Sequence, residues 1–295
     1  MTTLALEACP ACGTRDAEAA ELGLRRCVAC ATVYAAEYAD PDEVFADGYF
    51  ETGGRFGIDT SHPRFQAMLA DVGARRCAMI ERAAGGAGSL FDVGCGGGEF
   101  LQAAVARGWR AAGAEPIAHA AEQARARAPG ADIHTGLAAE SGFAERSFDV
   151  VSAFHVLEHM PDSRAFLHEL ARFAKPGGLV VLESPNYASM QRRRQGERWI
   201  HLRPLEHLVH FTPDTLRAAL RGAGLEPVLV TTPVWLVDFH TLDEAVAELS
   251  EPRLRRPLRA LPVPAARRAL LRGVAALYER RGVGGVVFGI GRVPA

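Results

Sequence analysis

The sequence predicts an α/β fold in which helices cover both faces of a mainly parallel sheet, joined to a small N-terminal lobe held by cysteines. The first observation is that, from about residue 88, short apolar runs such as SLFDV, FDVVSAF and GLVVLES alternate with longer segments of helical spacing. Repeated strand–helix alternation is typical of parallel sheets that are covered on both faces. The second observation is that four of the six cysteines lie within the first thirty residues.

The composition of the 295 residues, 48% hydrophobic and 23% charged, is that of a globular protein with a sizeable core. A formal net charge of −2 argues against a general nucleic-acid binder, which needs a concentrated positive field. No uninterrupted apolar run is long enough to span a membrane, and the start MTTLALEACPAC lacks the features of a secretory signal. We therefore expect a cytoplasmic protein.

The four N-terminal cysteines form two Cys-x-x-Cys pairs, Cys9 with Cys12 and Cys27 with Cys30. Each pair can direct two thiolates at one ion, and tetrahedral closure by four sulfurs leaves no open position for catalysis. We expect a structural Zn²⁺ in a zinc ribbon over residues 1–35, folded as a separate lobe. A redox or disulfide role is the alternative, and the lack of a secretory signal disfavours it.

The rest of the chain divides into three predicted segments. Residues 36–84 are expected to form a linker and a helix, with the linker as a candidate active-site lid. Residues 85–232 form the predicted ligand-binding core, which includes a substrate loop over residues 185–212. Residues 233–295 are expected to hold C-terminal helices and a last strand. Parallel sheets bind ligands at the carboxyl ends of their strands, so the chemistry is expected there.

A glycine-rich turn follows the first strand of the predicted core. Asp92 precedes this turn, in which Gly94, Gly96 and Gly98 lead into an apolar helix. Glycines let the backbone approach a ligand closely, and a helix N-terminus presents free N–H groups. Glu115 closes the next strand, about twenty residues on, where a carboxylate can accept hydrogen bonds from a ribose. No P-loop lysine follows the glycines, so a nucleotide-containing ligand other than a P-loop triphosphate is indicated.

The motifs DVGCGGGEFL, GAEP, SFDVVSAFHVLEHMPD and FAKPGGLVVLESPN follow one another in this order. Over residues 88–232 the sequence thereby resembles class I S-adenosylmethionine-dependent methyltransferases. The resemblance implies a Rossmann-like, seven-stranded methyltransferase sheet with S-adenosyl-L-methionine as the cofactor. With the cysteine pairs included, the sequence resembles small-molecule and sugar methyltransferases that carry an N-terminal zinc ribbon.

The resemblance also implies roles for the residues of the turn and of the following strand ends. In that family the glycine loop approaches the methionine part of the cofactor, a role that falls here on Asp92, Gly94, Gly96 and Gly98. The acidic residue at the second strand end holds the ribose, a role that falls on Glu115. The adenine contact falls on the segment around Leu137, where the family often has an acidic side chain instead.

Methyl transfer requires a positioned acceptor and, where the acceptor carries a proton, a base. His155 lies in the loop after the fourth strand, close to the expected position of the sulfonium, and is one candidate for lining the methyl pocket or acting as the base. Glu158 and His159 lie in the same loop and are interpreted as residues that fix its turn through hydrogen bonds.

The pair Glu206-His207 in the substrate loop is the second candidate. It resembles the Glu-His pair of zinc-containing sugar C-methyltransferases, in which the histidine is the base. Two features depart from those enzymes: Pro204 stands where they have an aromatic residue, and they carry a longer C-terminal domain. We expect Glu206 to orient His207 as the base. The alternative is that His207 and His210 only pack the loop against the sheet.

The C-terminal segment is strongly basic: between Arg253 and Arg281 there are nine arginines and a single acidic residue, Glu279. Such a run is usually a solvated helix face. The alternative is that some of these arginines bind a phosphorylated substrate or an anionic membrane surface. Val286 to Val293 predict a final strand, which in this family is usually an antiparallel edge.

The leading hypothesis is an enzyme that moves a methyl group from S-adenosyl-L-methionine to carbon or oxygen of a small molecule, such as a sugar nucleotide, a glycan precursor or a secondary metabolite. One alternative is an RNA base methyltransferase that uses the zinc ribbon to bind RNA, but the net charge of −2 argues against it. A second, non-enzymatic alternative is a cofactor-bound scaffold that uses the ribbon for docking. The sequence makes no prediction of the oligomeric state.

Overall fold

The N-terminal cysteines lie in a lobe of short antiparallel strands. The computed structural model describes residues 2–40, 63–235 and 264–295. The strands of the lobe are β1 (Thr3–Ala5), β2 (Ala17–Ala19), β3 (Arg25–Cys27), β4 (Val33–Tyr34) and β5 (Glu37–Ala39). Strands β2, β3 and β4 pair in that order, and β1 pairs with β5. The two cysteine pairs flank β2 and β3, so the lobe has the layout of the predicted ribbon.

In the rest of the chain, strands and helices alternate as the sequence predicts. The first half comprises α1 (Pro63–Ala84), β6 (Ser89–Val93), α2 (Glu99–Ala106), β7 (Arg110–Glu115), α3 (Ala118–Arg127), β8 (Asp132–Thr135) and β9 (Phe148–Phe154). The second half comprises α4 (Ser163–Phe173), β10 (Ala174–Pro185), α5 (Met190–Gln195), β11 (Val209–His210), α6 (Pro213–Gly222), β12 (Glu226–Thr231), α7 (Pro264–Arg280) and β13 (Val286–Arg292). Short 3₁₀ turns lie at Glu21–Gly23, Ala138–Glu140, Leu157–His159 and Gly196–Arg198.

The central sheet is buried on both faces because its strands are apolar at consecutive positions. Side chains alternate between the two faces of a strand, so Leu90 and Val150 face one side and Phe91 and Val151 the other. On the first side the sheet packs against α1, α2 and α3. On the second side it packs against α4, α6 and the N-terminal lobe. The result is the three-layer α/β arrangement that the sequence predicts.

Within the described residues, seven strands form this sheet in the order β12–β13–β10–β9–β6–β7–β8. Strands β6, β7, β8, β9 and β10 are parallel, so their carboxyl ends lie along one edge. β13 is antiparallel to both β10 and β12. The prediction of an antiparallel last strand is therefore confirmed, but its placement at the edge is wrong. β12 forms the edge, because β13 inserts between it and β10.

The N-terminal lobe does not stand apart from the body, which corrects the expectation of a separate lobe. β4 pairs with β11 of the substrate loop, so the ribbon strands and β11 form one sheet in the order β11–β4–β3–β2. The amides of Ala35 and Ala39 donate to the carbonyls of Leu208 and Leu205 at 2.9 and 3.0 Å. Buried side chains of the lobe, including Tyr34, share one core with α4 and α6. The ribbon thus pairs with the substrate loop and packs along one side of it.

Two predicted features fall at least partly outside the described residues. The candidate lid in the 36–84 segment lies mostly within residues 41–62, although β5 and α1 on either side of it are described. Of the nine arginines in the basic run, four lie within residues 236–263, outside the described part of the chain, and the other five lie in α7 or directly after it. No helix among the described residues has the length and apolar character that a membrane span requires.

Candidate active site

The glycine-rich turn between β6 and α2 forms a cradle of exposed backbone. Gly94, Gly96 and Gly98 all have positive φ, of +72°, +52° and +82°, a conformation that side-chain-bearing residues adopt only with strain. A Cβ atom on Gly94 would lie 2.6 Å from a methyl of Val156, and one on Gly98 would lie 2.7 Å from the Cα of Ala124. Glycine is therefore required here, and the turn presents its amides and the N-terminus of α2 to the carboxyl edge of the sheet.

Glu115 at the end of β7 is tied directly to this cradle. Its carboxylate is buried and accepts hydrogen bonds from the amide of Gly96 at 2.8 Å and from the amide of Ile117 at 3.0 Å. Burial raises the pKa of this carboxyl group, and the two amide donors partly oppose that shift. The structure thus brings together two elements that the sequence predicted to bind the same ligand.

Asp92, the acidic residue before the glycines, is buried beneath the cradle. Its Oδ1 accepts a hydrogen bond of 2.6 Å from the hydroxyl of Ser152 on the neighbouring strand β9. Burial raises the pKa of Asp92 to about 7, against the opposing effect of this hydrogen bond. Because ionisation of this buried carboxyl group is unfavourable, a cation bound nearby would stabilise its ionised form.

Leu137 follows β8 at the same edge of the sheet. Its side chain is 57% exposed. Gly136 precedes it with φ of +139°. The structure therefore leaves an apolar surface at the position where the sequence predicted the adenine contact.

His155 directly follows β9 and lies between two buried carboxylates. Its Nδ1 is 3.3 Å from Glu158 and its Nε2 is 3.2 Å from Glu183. Partial desolvation opposes the charged form, but the two carboxylates outweigh it and raise the pKa of His155 to about 9. At neutral pH both ring nitrogens therefore carry protons. In this arrangement His155 is a cation that neutralises two acids rather than a base ready to accept a proton.

The backbone of His155 is also strained, with φ of +57°. For residues other than glycine, asparagine and aspartate, this left-handed backbone conformation costs on the order of 1 kcal/mol or more. The amide of His155 donates to the carbonyl of Glu183 at 2.8 Å, which helps to hold it. Strain of this kind that is held by its surroundings occurs frequently at functional sites.

Sequence reasoning missed the residues that surround Glu183. This carboxylate is fully buried in β10 and accepts hydrogen bonds from Arg76 of α1 and from the indole N–H of Trp235, the latter at 2.8 Å. The Arg76 guanidinium also lies 4.3 Å from the centre of the Phe154 ring. A signal was present, because Glu183 is a charged residue in the apolar run GLVVLES and a buried charge requires a partner. The sequence does not identify that partner.

The substrate loop folds back over the end of β9. The amide of Leu208 donates to the carbonyl of Glu158 at 2.7 Å, which places His207 beside Glu158 and His159. His207 is buried, and its Nδ1 lies 2.8 Å from the carbonyl of His201. A carbonyl only accepts, so Nδ1 carries the proton. Desolvation, followed by repulsion from His159, lowers the pKa of His207 well below its usual value.

Glu206 makes different contacts from those expected. Its carboxylate pairs with Arg203 at 3.4 Å, while its backbone carbonyl lies 2.8 Å from Nδ1 of His159. The carbonyl of His201 is the group that fixes the ring of His207. The role of Glu206 in orienting His207 through its carboxylate stays a prediction, and the structure adds a contact from its backbone to His159.

Aromatic rings hold the substrate loop against the body and the ribbon. Trp199 is fully buried and its ring packs against His201 and His210 at centroid distances of 5.2 and 6.4 Å. Tyr187 lies 5.1 Å from the ring of His210, and its hydroxyl donates to Glu21 of the ribbon at 2.6 Å. The loop is therefore supported on both sides by rings and by the N-terminal lobe.

The four ribbon cysteines meet the requirements of a zinc site. All four sulfurs lie within 4.8 Å of one another, with Cys9 to Cys30 at 3.6 Å and Cys12 to Cys27 at 3.5 Å. Sulfurs bound to one zinc at about 2.3 Å in a tetrahedron lie roughly 3.8 Å apart, close to these distances. The residues fit a four-thiolate structural zinc, and none of the four forms a disulfide.

Comparison with known proteins agrees with this geometry. Residues 68–230, more than half of the chain, match the family model described as a methyltransferase domain. The chain belongs to this methyltransferase family. The resemblance to class I S-adenosylmethionine-dependent methyltransferases is confirmed, and so is the predicted fold class. The family supports S-adenosyl-L-methionine as the methyl donor of this methyltransferase.

Two curated relatives of the methyltransferase are ubiquinone biosynthesis O-methyltransferases from strains of Cereibacter sphaeroides. One is 33% identical over 150 residues, which cover 47% of this chain and 60% of the relative. The other is 36% identical over 180 residues, which cover 53% of this chain and 70% of the relative.

Among solved structures, a chain of the complex between the Trm112 methyltransferase activator of Haloferax volcanii and a methyltransferase has a TM-score of 0.50 at 18% identity. It covers 79% of this chain and 99% of that one, which shows the shared fold.

Proposed function

We propose that this methyltransferase transfers a methyl group from S-adenosyl-L-methionine to carbon or oxygen of a small molecule. The observation that carries the proposal is the contact between the glycine cradle and the histidine-bearing loops. Val156 lies against Gly94, and the next turn along the chain holds Glu158 beside His207. A methyl donor bound in the cradle would thus have its reactive end near groups that handle protons.

Bound S-adenosyl-L-methionine supplies a methyl carbon whose bond to sulfur breaks, with both electrons staying on sulfur, as the acceptor atom attacks. The chain's own residues would bind and orient it. The glycine turn would receive the methionine part and Glu115 the ribose diol, to which it would turn from its present amide partners. The exposed side chain of Leu137 would cover the adenine ring, and Asp92 would lie near the positive charge.

His207 is the candidate group for handling the proton of the acceptor. Because its Nδ1 donates to the carbonyl of His201 and its pKa is low, Nε2 carries a lone pair at neutral pH. That lone pair can accept the proton of the acceptor directly, or it can bind a cation that lowers the pKa of the acceptor. In contrast, His155 holds two carboxylates and is better suited to stabilising the loop.

Two facts favour a small molecule as the substrate. The chain has a net charge of −2, whereas an RNA-binding enzyme needs a positive surface. The relatives from Cereibacter sphaeroides are named as O-methyltransferases of ubiquinone biosynthesis, which act on a small molecule. Sugar nucleotides, glycan precursors and secondary metabolites are the classes we expect, and a phosphorylated acceptor is included among them.

The proposal is tested with isotope-labelled S-adenosyl-L-methionine and two fractions of a bacterial extract, one of small molecules and one of total RNA. We expect label in the small-molecule fraction, detected by mass spectrometry, and none in the RNA nucleosides. His207→Ala should lower turnover by roughly 10²–10⁴-fold with cofactor affinity near that of the wild type. Label in RNA alone would establish the RNA alternative, and cofactor binding without transfer to either fraction would favour a scaffold.

A further inference from the structure

Three side chains other than the ribbon cysteines meet at the boundary between the β9 loop and the substrate loop. One oxygen of Glu158 and one ring nitrogen each of His159 and His207 all lie within 4.8 Å of one another. Glu158 is 1% exposed and His207 is 7% exposed, while His159 is half-buried. A carboxylate and two imidazoles are ligands that divalent transition metals prefer.

In both imidazoles one ring nitrogen faces a backbone carbonyl, as is usual for metal-binding histidines. Nδ1 of His159 lies 2.8 Å from the carbonyl of Glu206, and Nδ1 of His207 lies 2.8 Å from the carbonyl of His201. Since a carbonyl accepts only, each Nδ1 carries a proton and Nε2 is the nitrogen with a lone pair. A hydrogen bond from the opposite ring nitrogen to a backbone carbonyl fixes the ring and the tautomer that a metal requires.

The carboxylate is supported as well. Oε2 of Glu158 accepts a hydrogen bond of 2.9 Å from the hydroxyl of Ser184, and Oε1 lies 3.3 Å from His155. These partners hold the carboxylate in place, and each oxygen retains a further lone pair. Ligand atoms at about 2.0–2.2 Å from a zinc ion lie roughly 3.3–3.5 Å apart. The three ligand atoms here are separated by up to 4.8 Å, so metal binding requires side-chain movements of about an ångström.

We propose that Glu158, His159 and His207 bind one divalent transition-metal ion, with Zn²⁺ as the expected occupant, at a site separate from the ribbon. Three protein ligands leave a position for an oxygen of the acceptor, whereas the four ribbon thiolates leave none. An oxygen bound there would lose its proton more readily, because the ion stabilises the anion. Only this last assignment, of an acceptor with an ionisable oxygen, rests on the proposed function.

The test counts metal equivalents on the purified full chain. After dialysis against Zn²⁺, or against Co²⁺ as a spectroscopic probe, elemental analysis should return two equivalents for the wild type. One should show the thiolate-to-cobalt charge-transfer band of the ribbon, and the other should show only the weak bands of nitrogen and oxygen ligands. His207→Ala and Glu158→Gln should each lower the affinity of the second site at least about 100-fold, and Ser184→Ala about 10- to 100-fold, while the first equivalent stays.

His168→Ala, on the exposed face of α4, is the matched control and should bind both equivalents. His159→Ala gives a second route if the buried variants fold poorly, which circular dichroism reports. The proposal is overturned if the wild type binds only the thiolate-held ion, or if His207→Ala and His159→Ala bind two equivalents with wild-type affinity. Methyl transfer by protein that retains only the ribbon ion would reject the ion's role in activating the acceptor and leave the proposed function intact. Two bound equivalents without methyl transfer would establish the metal site and count against the proposed function.

Discussion

Replacing Cys12 or Cys27 with serine should loosen the substrate loop as well as the ribbon. The ribbon holds the loop through the pairing of β4 with β11 and through two amides, those of Ala35 and Ala39, which donate to loop carbonyls at 2.9 and 3.0 Å. Loss of the zinc removes the order of the short ribbon strands, because small lobes of this kind depend on their metal for folding.

The size of the effect follows from these contacts. A backbone hydrogen bond contributes about 0.5–1.5 kcal/mol net, so the two amides alone contribute about 1–3 kcal/mol. A change of that size raises the population of the open loop about 5- to 150-fold. Amide hydrogen exchange should accelerate by a similar factor at Ala35, Ala39 and Leu208, and methyl transfer should fall accordingly.

The assay pairs hydrogen exchange with zinc analysis and cofactor calorimetry on the same samples. Cofactor affinity should stay within about twofold of the wild type, because the glycine cradle and Glu115 lie on other elements of the sheet edge. Cys77→Ala, which removes a buried thiol from the opposite face of the sheet, is the control and should keep both zinc and slow exchange. Zinc-free Cys12→Ser with unchanged exchange at Ala35 and Leu208 would refute the reasoning.

Three further predictions concern the ionisable groups of the site. Glu115→Ala should weaken cofactor binding roughly 10- to 100-fold by calorimetry, with the exposed Glu122→Gln unchanged. Because the pKa of Asp92 is raised from 3.8 to about 7, the folded protein loses stability as the pH rises through this range. In denaturant titrations of the cofactor-free protein, Asp92→Asn should therefore be stabilising at pH 8, by at most about 4 kcal/mol, and should have no stabilising effect below pH 4. The raised pKa of His155 gives stability that is present below pH 6.5 and lost as the pH rises to about 9, a loss that His155→Gln should lack. Equal pH profiles for either variant and the wild type would contradict these assignments.

The parts of the site that the sequence predicted are those with local signals. The glycine turn, Asp92 and Glu115 are specified by backbone requirements and strand ends that occur within a few residues, and the structure brings Glu115 to Gly96 at 2.8 Å. The two cysteine pairs are likewise local, and their sulfurs converge. For these residues, type and spacing determine the geometry, so a single sequence is sufficient to predict their arrangement.

The contacts between distant segments had no such signal. The pairing of β4 with β11 involves two residues on each strand, Val33 and Tyr34 with Val209 and His210, which is too short for a periodic pattern. The backbone carbonyl that fixes His207 also leaves no trace in side-chain identity. Sequence reasoning therefore considered only the adjacent Glu206 for the orienting role, and the carboxylate of Glu206 pairs with Arg203.

The same contacts explain why a zinc ribbon is attached to this methyltransferase fold. The loop that carries His207 has no regular partner in the central sheet, since β11 pairs with β4 rather than with β12 or β13. A loop of this length would by itself sample many conformations, and a catalytic group misplaced by about an ångström costs roughly 100-fold in rate. The ribbon supplies the missing strand partner, and its four thiolates make that partner rigid without adding chemistry of their own. Under the proposed function, a closed metal site in the ribbon positions the loop, and the chemistry takes place beside the histidines that the loop carries.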